Sequence, residues 1–468
     1  MVAEKNKVAF TEGKIFFKLL FFVLPIVATN LLQTFYNAAD MMVVSLSSEV
    51  NAVGAVGTTG SFISLIVNVF IGFSVGANVV VARNIGAKNA ERTQKSVHTA
   101  LLIGLFFGVI GGAVGIAISR PLLKWMGNTG DLLDLAVKYT YFYFAGVPFL
   151  ALTNYLIAIF RAKGDSKTPL IVLALAGLLN VGLNVFFVII CNMSVEGVAL
   201  ATAIANVASF LVLLVKLAKA SDDTKFSLKR LRVDKKALKD IVSIGFPAAV
   251  QGALFAVSNI LIQSSVVTVN NNVCPPGSKR QPVVNGCAAA SNLTNFVYTA
   301  QNAVYQGAIT FTSQNMGANK PKRVYAVMGW CTLLVTGIGG ILGVALYLCK
   351  TPLLSLYGVS VGVEGSLDAI AFNAATTQLL YVSLPYFLCG IMEVGSGVLR
   401  GLNRSMLSMI ITIIGSCVLR VVWLMTVFPK YPTLDFVYVC YPITWILTSL
   451  ALFSCAFIIL SKILKHNG

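Results

Sequence analysis

Charge is scarce in this 468-residue chain: only 11% of its residues are Asp, Glu, Lys or Arg, and 57% are hydrophobic. An ordinary soluble domain carries roughly 25% charged residues. With a mean hydropathy of +0.83, too few polar groups remain to coat a water-exposed body of this size, which excludes a soluble globular protein. Histidine is nearly missing. The two present, His98 near the inner surface and His466 in the tail, cannot assemble a His-based triad or metal cluster. No G-x-x-x-x-G-K-[ST] phosphate loop occurs, which removes a built-in ATP motor. Nothing else resembles a soluble catalytic site, so no enzyme and no cofactor are expected, and any transport must run on an ion gradient or passively.

Long apolar runs are what the chain has instead. A membrane helix needs about 20 mostly apolar residues, and twelve such stretches recur. Their expected cores are Ile15 to Leu46, Phe62 to Val81, Ala100 to Ile118, Ala136 to Phe160, Pro169 to Ile190, Val195 to Leu217, Ile241 to Val269, Ala288 to Thr312, Val324 to Leu348, Ala374 to Leu399, Met406 to Phe428 and Val437 to Leu460. The lipid bilayer is therefore the main solvent.

Lys and Arg number 35 against 17 Asp and Glu, a formal charge of +18. Counted from an inside N-terminus, 27 basic residues fall in inside segments, seven in outside loops, and Arg420 lies within an apolar run. The positive-inside bias puts both termini in the cytoplasm of a multi-pass inner-membrane protein. The linker Ser221 to Lys239 holds seven of the inside charges. It reads as a retention stretch with headgroup affinity, and nucleic acid is not an expected partner. Met1 to Lys14 is polar and no Ala-x-Ala follows the first apolar run, so the first helix is expected to be retained.

The linker lies near mid-chain, between two repeated halves. Pro25 and Asn37 of the first span recur as Pro247 and Asn259 of the seventh, 222 residues on. Gly76-Ala77 and Asn84-Ile85-Gly86-Ala87 recur as Gly307-Ala308 and Asn315-Met316-Gly317-Ala318, 231 residues on. Phe160-Arg161-Ala162-Lys163-Gly164-Asp165-Ser166 recurs as Leu399-Arg400-Gly401-Leu402-Asn403-Arg404-Ser405, 239 residues on. Six helices per half is an even number, so the halves share one orientation and are related by an axis along the membrane normal. The expected architecture is all-α, with an N-terminal lobe over residues 1–220, the linker at 221–239 and a C-terminal lobe over 240–468.

An ionisable side chain at bilayer depth is expensive and needs a reason. The first span carries Asn30, Gln33, Asn37 and Asp40 three or four apart, a stripe on one face with Tyr36 beside it. Asn180 and Asn184 repeat at four in the fifth span, Thr202 and Asn206 in the sixth, and these could meet Asp40. Interhelical hydrogen bonding that merely holds the bundle together is the plainer account of the amides taken singly. Glu393 lies seven residues before Arg400 and matches Asn154 by the repeat. Arg420 is its possible countercharge, or snorkels outward. Asn295, Tyr298 and Asn302 form a second stripe suited to lining a cavity. Cys274 and Cys287, both read as loop residues between the seventh and eighth spans, could pair in an oxidising space, while the other cysteines read as small hydrophobes.

With these residues in hand, the chain resembles the multidrug and toxic compound extrusion family of cation-coupled antiporters. The likeness rests on Pro25, Gln33, Tyr36, Asn37 and Asp40, on Gln314-Asn315-Met316-Gly317-Ala318, and on Phe160-Arg161-Ala162-Lys163-Gly164-Asp165-Ser166-Lys167-Thr168-Pro169, and it covers nearly the whole chain. The resemblance implies that Asp40 binds the coupling proton or sodium ion, with Gln33, Tyr36, Asn154, Asn180, Asn184 and Thr202 around it. Some relatives have a second Asp where Asn184 stands here, and that departure leaves the ion open. The acidic residue that other branches carry in the seventh or eighth helix is absent, and Glu393 is the strong replacement. The implied activity is export of organic cations or similar amphipathic small molecules by a monomer. Alternatives are a lipid-linked oligosaccharide flippase, disfavoured because Arg420 is the only basic side chain at mid-depth, and a passive channel or receptor.

Overall fold

The computed structural model describes residues 10–47, 49, 51–274, 281–363 and 365–467. These residues are helical or irregular, with no strand among them. A backbone in lipid has no water to bond, so it must satisfy its own N–H and C=O groups, and the helix does this within each segment. The helices of the first half are α1 (Ile15–Val44), α2 (Ala52–Gly86), α3 (Ala90–Trp125), α4 (Gly130–Ala162), α5 (Lys167–Ile190) and α6 (Val195–Ala218). Those of the second are α7 (Lys235–Val273), α8 (Pro282–Gly317), α9 (Pro321–Leu348), α10 (Leu367–Ser383 and Tyr386–Gly401, bent by 41° at the break), α11 (Ser405–Thr426) and α12 (Leu434–Lys465).

Ten of these are long and apolar enough to cross a membrane, and α10 makes eleven when its bent halves count as one span. The twelfth, α8, is 36 residues long but rich in Asn, Gln, Ser and Thr, so length rather than apolarity marks it. The protein is an all-α integral membrane protein of twelve helices in two six-helix halves, as the apolar runs predict. Large hydrophobic side chains such as Phe21, Phe106, Ile190, Ile341 and Leu450 stand exposed on the helices, where they face lipid rather than water.

The chain divides into two compact units, residues 1–252 with 313–320, and residues 253–312 with 321–468. In the first unit α4 packs on α3, α6 and α2, and α1 packs on α5. The start of α7 and the end of α8 belong to this unit, where glycines let them approach α2 backbone to backbone. A Cβ at Gly72 would lie 2.4 Å from Ala249 Cα, and one at Gly76 would lie 2.2 Å from the Ile241 carbonyl oxygen. At the α2–α8 crossing a Cβ at Gly86 would lie 2.1 Å from the Gln314 carbonyl oxygen, and one at Gly317 would lie 2.0 Å from that of Arg83. Phe10, 1% exposed, is anchored at this end by its edge contact with Phe22. In the second unit α10 packs against α9 and α12.

The linker is docked rather than loose, and its last residues already form the first turn of α7. The Ser227 N–H donates to His98 Nε2 (3.1 Å), while His98 Nδ1–H donates to the Gln94 carbonyl (2.7 Å) and the ring stacks on Phe226. Asp234 N–H donates to the Thr99 hydroxyl at 3.0 Å, and Arg230 donates to the Gln94 side chain. Lys163 reaches the Asp222 carboxylate at 3.4 Å. Burial raises the pKa of Asp222, but hydrogen bonds from Thr224 and the Lys163 charge outweigh it and hold the carboxyl below its ordinary value.

Two sequence expectations are corrected. Cys274 and Cys287 are free thiols rather than a bridge. Cys287 is not a loop residue: α8 starts at Pro282 and buries its thiol against the Ala374 carbonyl, while Cys274, just past α7, turns back on Asn270 Oδ1 at 3.7 Å. Residues 275–280 of that loop lie outside the described residues, as does the tail before Phe10. Arg420 neither snorkels nor pairs with Glu393. It is 3% exposed, makes no ion pair among the described residues, and lies against aromatic rings of α12, which can take a cation.

Candidate functional site

Asp40 sits one turn before the end of α1, where Val43 and Val44 pack with Tyr139, Val188, Val195 and Val198 into a core shared by α1, α4, α5 and α6. Tyr36, one turn earlier, lays its ring over Gly177, where a Cβ would lie 1.9 Å from the ring, and donates its hydroxyl to the Ala174 carbonyl at 2.9 Å. Gly177 thus lets α1 come close to α5, and the close approach carries Asp40 to the amides of α5.

Asn184 Nδ2 donates to Asp40 Oδ1 at 2.5 Å. With the Asn180 amide turned so that both its ends are satisfied, its NH2 donates to the same Oδ1 at 2.8 Å and its oxygen accepts from the Thr202 hydroxyl at 3.2 Å. Thr202 is held from α6, one helix further on. Asn184 Oδ1 is enclosed and has no hydrogen-bond donor among the described residues. A π-helical turn, Phe186–Ile190, begins two residues after Asn184, a departure that recurs at functional sites. The phenols of Tyr139 and Tyr143 on α4 lie within electrostatic range of the carboxylate.

Of the residues expected near Asp40, then, Asn180, Asn184 and Thr202 are joined to it by hydrogen bonds. Tyr36 is one turn away on the same helix. Gln33 and Asn37 stand exposed on α1. Asn154 donates to the Leu150 carbonyl of its own helix at 3.0 Å and is not part of the hydrogen-bonded set.

In the second unit, Asn302 hydrogen-bonds the Tyr298 phenol, and that phenol lies within electrostatic range of Glu393 and Arg400, while Asn295 is exposed on the same helix. Glu393 makes no hydrogen bond or ion pair among the described residues. Arg400 donates to the Tyr305 hydroxyl and lies over its ring. No group of three or more His, Cys, Asp or Glu suited to a metal ion occurs among the described residues.

The sequence matches the MatE family over residues 25–186 and 255–426, one segment in each half. The chain belongs to the MatE family. A relative is the probable multidrug resistance protein YoeA of Bacillus subtilis, 29% identical over 345 residues that cover 72% of each chain. Another is the multidrug export protein MepA of Staphylococcus aureus (strain NCTC 8325), 22% identical over 89% of this chain and 88% of that one. Among solved structures, the outward-facing conformation of a multidrug resistance MATE family transporter superposes with a TM-score of 0.87 at 20% identity, covering 98% and 99% of the two chains. At that identity the likeness is one of fold.

Within this MatE chain, beyond Tyr36 and Tyr298, sequence reasoning does not single out the aromatic residues near the two clusters, Tyr139 and Tyr143 in the first and Tyr305 in the second. Tyr139 and Tyr143 stack on each other with centroids 6.0 Å apart. In an apolar helix, a Tyr reads like any other large side chain, and no spacing rule singles it out. Gly177 could have been found, because a small residue three before Asn180 on an amide-bearing face is where a neighbouring ring would fit.

Proposed function

We propose that this MatE-family chain is a secondary active antiporter of the cell membrane that exports organic cations or amphipathic drugs and metabolites in exchange for protons or sodium ions. Asp40 carries the exchangeable cation, and Asn180, Asn184 and Thr202 complete its site. One observation carries this reading: a carboxylate within a membrane span accepts two amide N–H bonds from α5, while the oxygen of one of those amides is enclosed without a donor. Such a carboxylate is costly unless a proton, a cation or donors offset its charge. The amides supply donors to the bare carboxylate, and a half-turn of each presents an oxygen instead, which suits a bound sodium ion. Glu393, with Tyr298 in electrostatic range and Asn295 and Asn302 on the same helix as that phenol, holds the positive end of the substrate.

The lobes are residues 1–220 and 240–468, with both termini on the cytoplasmic side, the side that the basic residues favour. The cycle is alternating access, in which binding of the cation at Asp40 biases one conformation and substrate binding the other. Ethidium efflux from proteoliposomes with imposed proton and sodium gradients tests it. Gradient-driven efflux is expected in the wild type and is lost in Asp40→Asn, which keeps the side chain's shape and removes its charge. Near wild-type coupled efflux in that variant, with unchanged elution on gel filtration, excludes Asp40 as the coupling site. Efflux independent of either gradient in the wild type makes the protein a passive channel.

A further inference from the structure

Arg420 lies within the apolar run of α11, about 9 Å inside the end of that helix at Thr426. It is 3% exposed. Its guanidinium lies 4.1 Å from the ring centroid of Tyr441 and 5.8 Å from that of Trp445, and its Nε–H donates to the Thr444 hydroxyl oxygen at 3.1 Å. That oxygen is itself fixed, since the Thr444 hydroxyl donates to the Tyr441 carbonyl at 3.0 Å. The two Nη groups make no hydrogen bond or ion pair among the described residues, and neither is fully enclosed. A cation this deep is normally paired with a carboxylate. Here it is steered by one hydroxyl and the faces of aromatic rings, which leave the paired N–H edge of the fork unused.

The surroundings have the form of a ligand site. Tyr386 and Tyr441 both meet Trp445 edge to face, at 5.3 and 5.4 Å. Tyr386 begins the second half of α10 directly after the 41° break, and a π-helical turn, Leu379–Ser383, directly precedes that break. A second π-helical turn, Ile413–Val418, ends two residues before Arg420. Broken and under-wound helices of this kind mark binding sites in membrane proteins, because they free backbone groups only where protein or a ligand can take them up.

We propose that Arg420, with Tyr386, Tyr441 and Trp445, forms a subsite in the C-terminal unit for the carboxylate of an aromatic amphipathic solute. The planar fork holds the two carboxylate oxygens, and the rings hold the apolar body. Glu393 attracts a cationic group within the same unit, so the substrate class extends from organic cations to zwitterions and aromatic acids. The substrate role rests on the antiporter reading above, whereas the binding site does not.

The test is equilibrium binding by titration calorimetry, with the full chain in phosphatidylcholine nanodiscs. The probes are 1-naphthoate, its neutral amide 1-naphthamide, and 1-naphthylmethylammonium. The wild type should bind naphthoate about ten-fold or more tightly than the amide, the ratio expected for charge-assisted bonds. Arg420→Gln should reduce naphthoate to the level of the amide and leave the ammonium probe unchanged, and Arg420→Lys should retain part of the preference. The wild-type comparison stands even if the variants do not fold. Equal affinities for acid and amide in the wild type, no binding of naphthoate, or unchanged naphthoate affinity in folded Arg420→Gln overturns the proposal. Binding requires no gradient, so failure of the coupling mechanism leaves this result intact, and the reverse holds as well.

Discussion

Asn184 serves Asp40 with one end and leaves the other unused. Its NH2 is committed to the carboxylate, and its oxygen is enclosed without a donor. Replacing the amide by a carboxylate of the same shape converts a donor into a second negative charge at hydrogen-bonding distance from the first. Two carboxylates that close cannot both stay ionised without a cation between them. Asn184→Asp is therefore expected to tighten cation binding by about ten-fold, roughly 1.4 kcal/mol, read as sodium-dependent protection against thermal unfolding. An unchanged sodium response would remove Asn184 from the site. The spacing of four between Asn180 and Asn184, and the stripe that ends at Asp40, make these residues legible in the sequence, because polar groups at helical period in lipid must face something polar. Family resemblance places Asn154 with them, yet its NH2 donates to the Leu150 carbonyl of its own helix. No pattern in one sequence separates an amide that reaches across from one that folds back. The cage around Arg420 is hidden for a related reason: its members come from two other helices, α10 and α12, and only tertiary packing brings them together.

Helices were the most legible level, since an apolar run of bilayer length leaves few alternatives. The exception is instructive. The polar content of α8 takes it below the apolarity of its neighbours, and the repeat, rather than its composition, supports its identity as a span. The close approach of α1 and α5 depends on Gly177, and a methyl group there would meet the Tyr36 ring. Gly177→Ala should cost about 1–3 kcal/mol as the helices separate, seen as a lower melting temperature of the purified protein. Coupled efflux should fall with it as Asp40 draws away from the α5 amides. The linker, whose basic composition suggests headgroup affinity, is also pinned to α3 and α4 by His98, Thr99 and Lys163. Its charge count was visible in the sequence, but the docking was not, since the partners lie more than 50 residues away. Asp222, held below its ordinary pKa, stabilises that docking at pH values above the normal Asp range, near 4. The contribution is lost as pH falls through that range toward the folded value. Hydrogen exchange of residues 222–234 should accordingly accelerate on acidification beyond the intrinsic pH dependence, and the extra acceleration should vanish in Asp222→Asn.

Across the whole molecule, the first compact unit is not simply the first half of the sequence, since it takes in the start of α7 and the end of α8. Four glycines of α2 and α8 fall where they must if these backbones are to touch, and the touching helices would have to part in any cycle that opens this end. Gly86→Val puts a branched side chain where a single Cβ already lies 2.1 Å from a carbonyl oxygen. It should destabilise the crossing and shift the population toward the state open at this end. The readout is increased alkylation of a cysteine introduced at Ala82, and alkylation at the wild-type rate would show that the crossing does not control access.

That crossing also bears on ancestry. Gly86 meets Gln314 and Gly317 meets Arg83, and the 231-residue shift that maps Gly86 onto Gly317 also maps Arg83 onto Gln314. Each half offers the other the same pair of positions, the reciprocity that defines the interface of a two-fold homodimer. A duplicated gene need not have invented this contact. The half-length protein could already have made it with a second copy of itself, and fusion would then have preserved an existing dimer within one polypeptide. Because each side now has its own codons, the two glycines can change independently, yet each still faces a backbone carbonyl that no substitution removes.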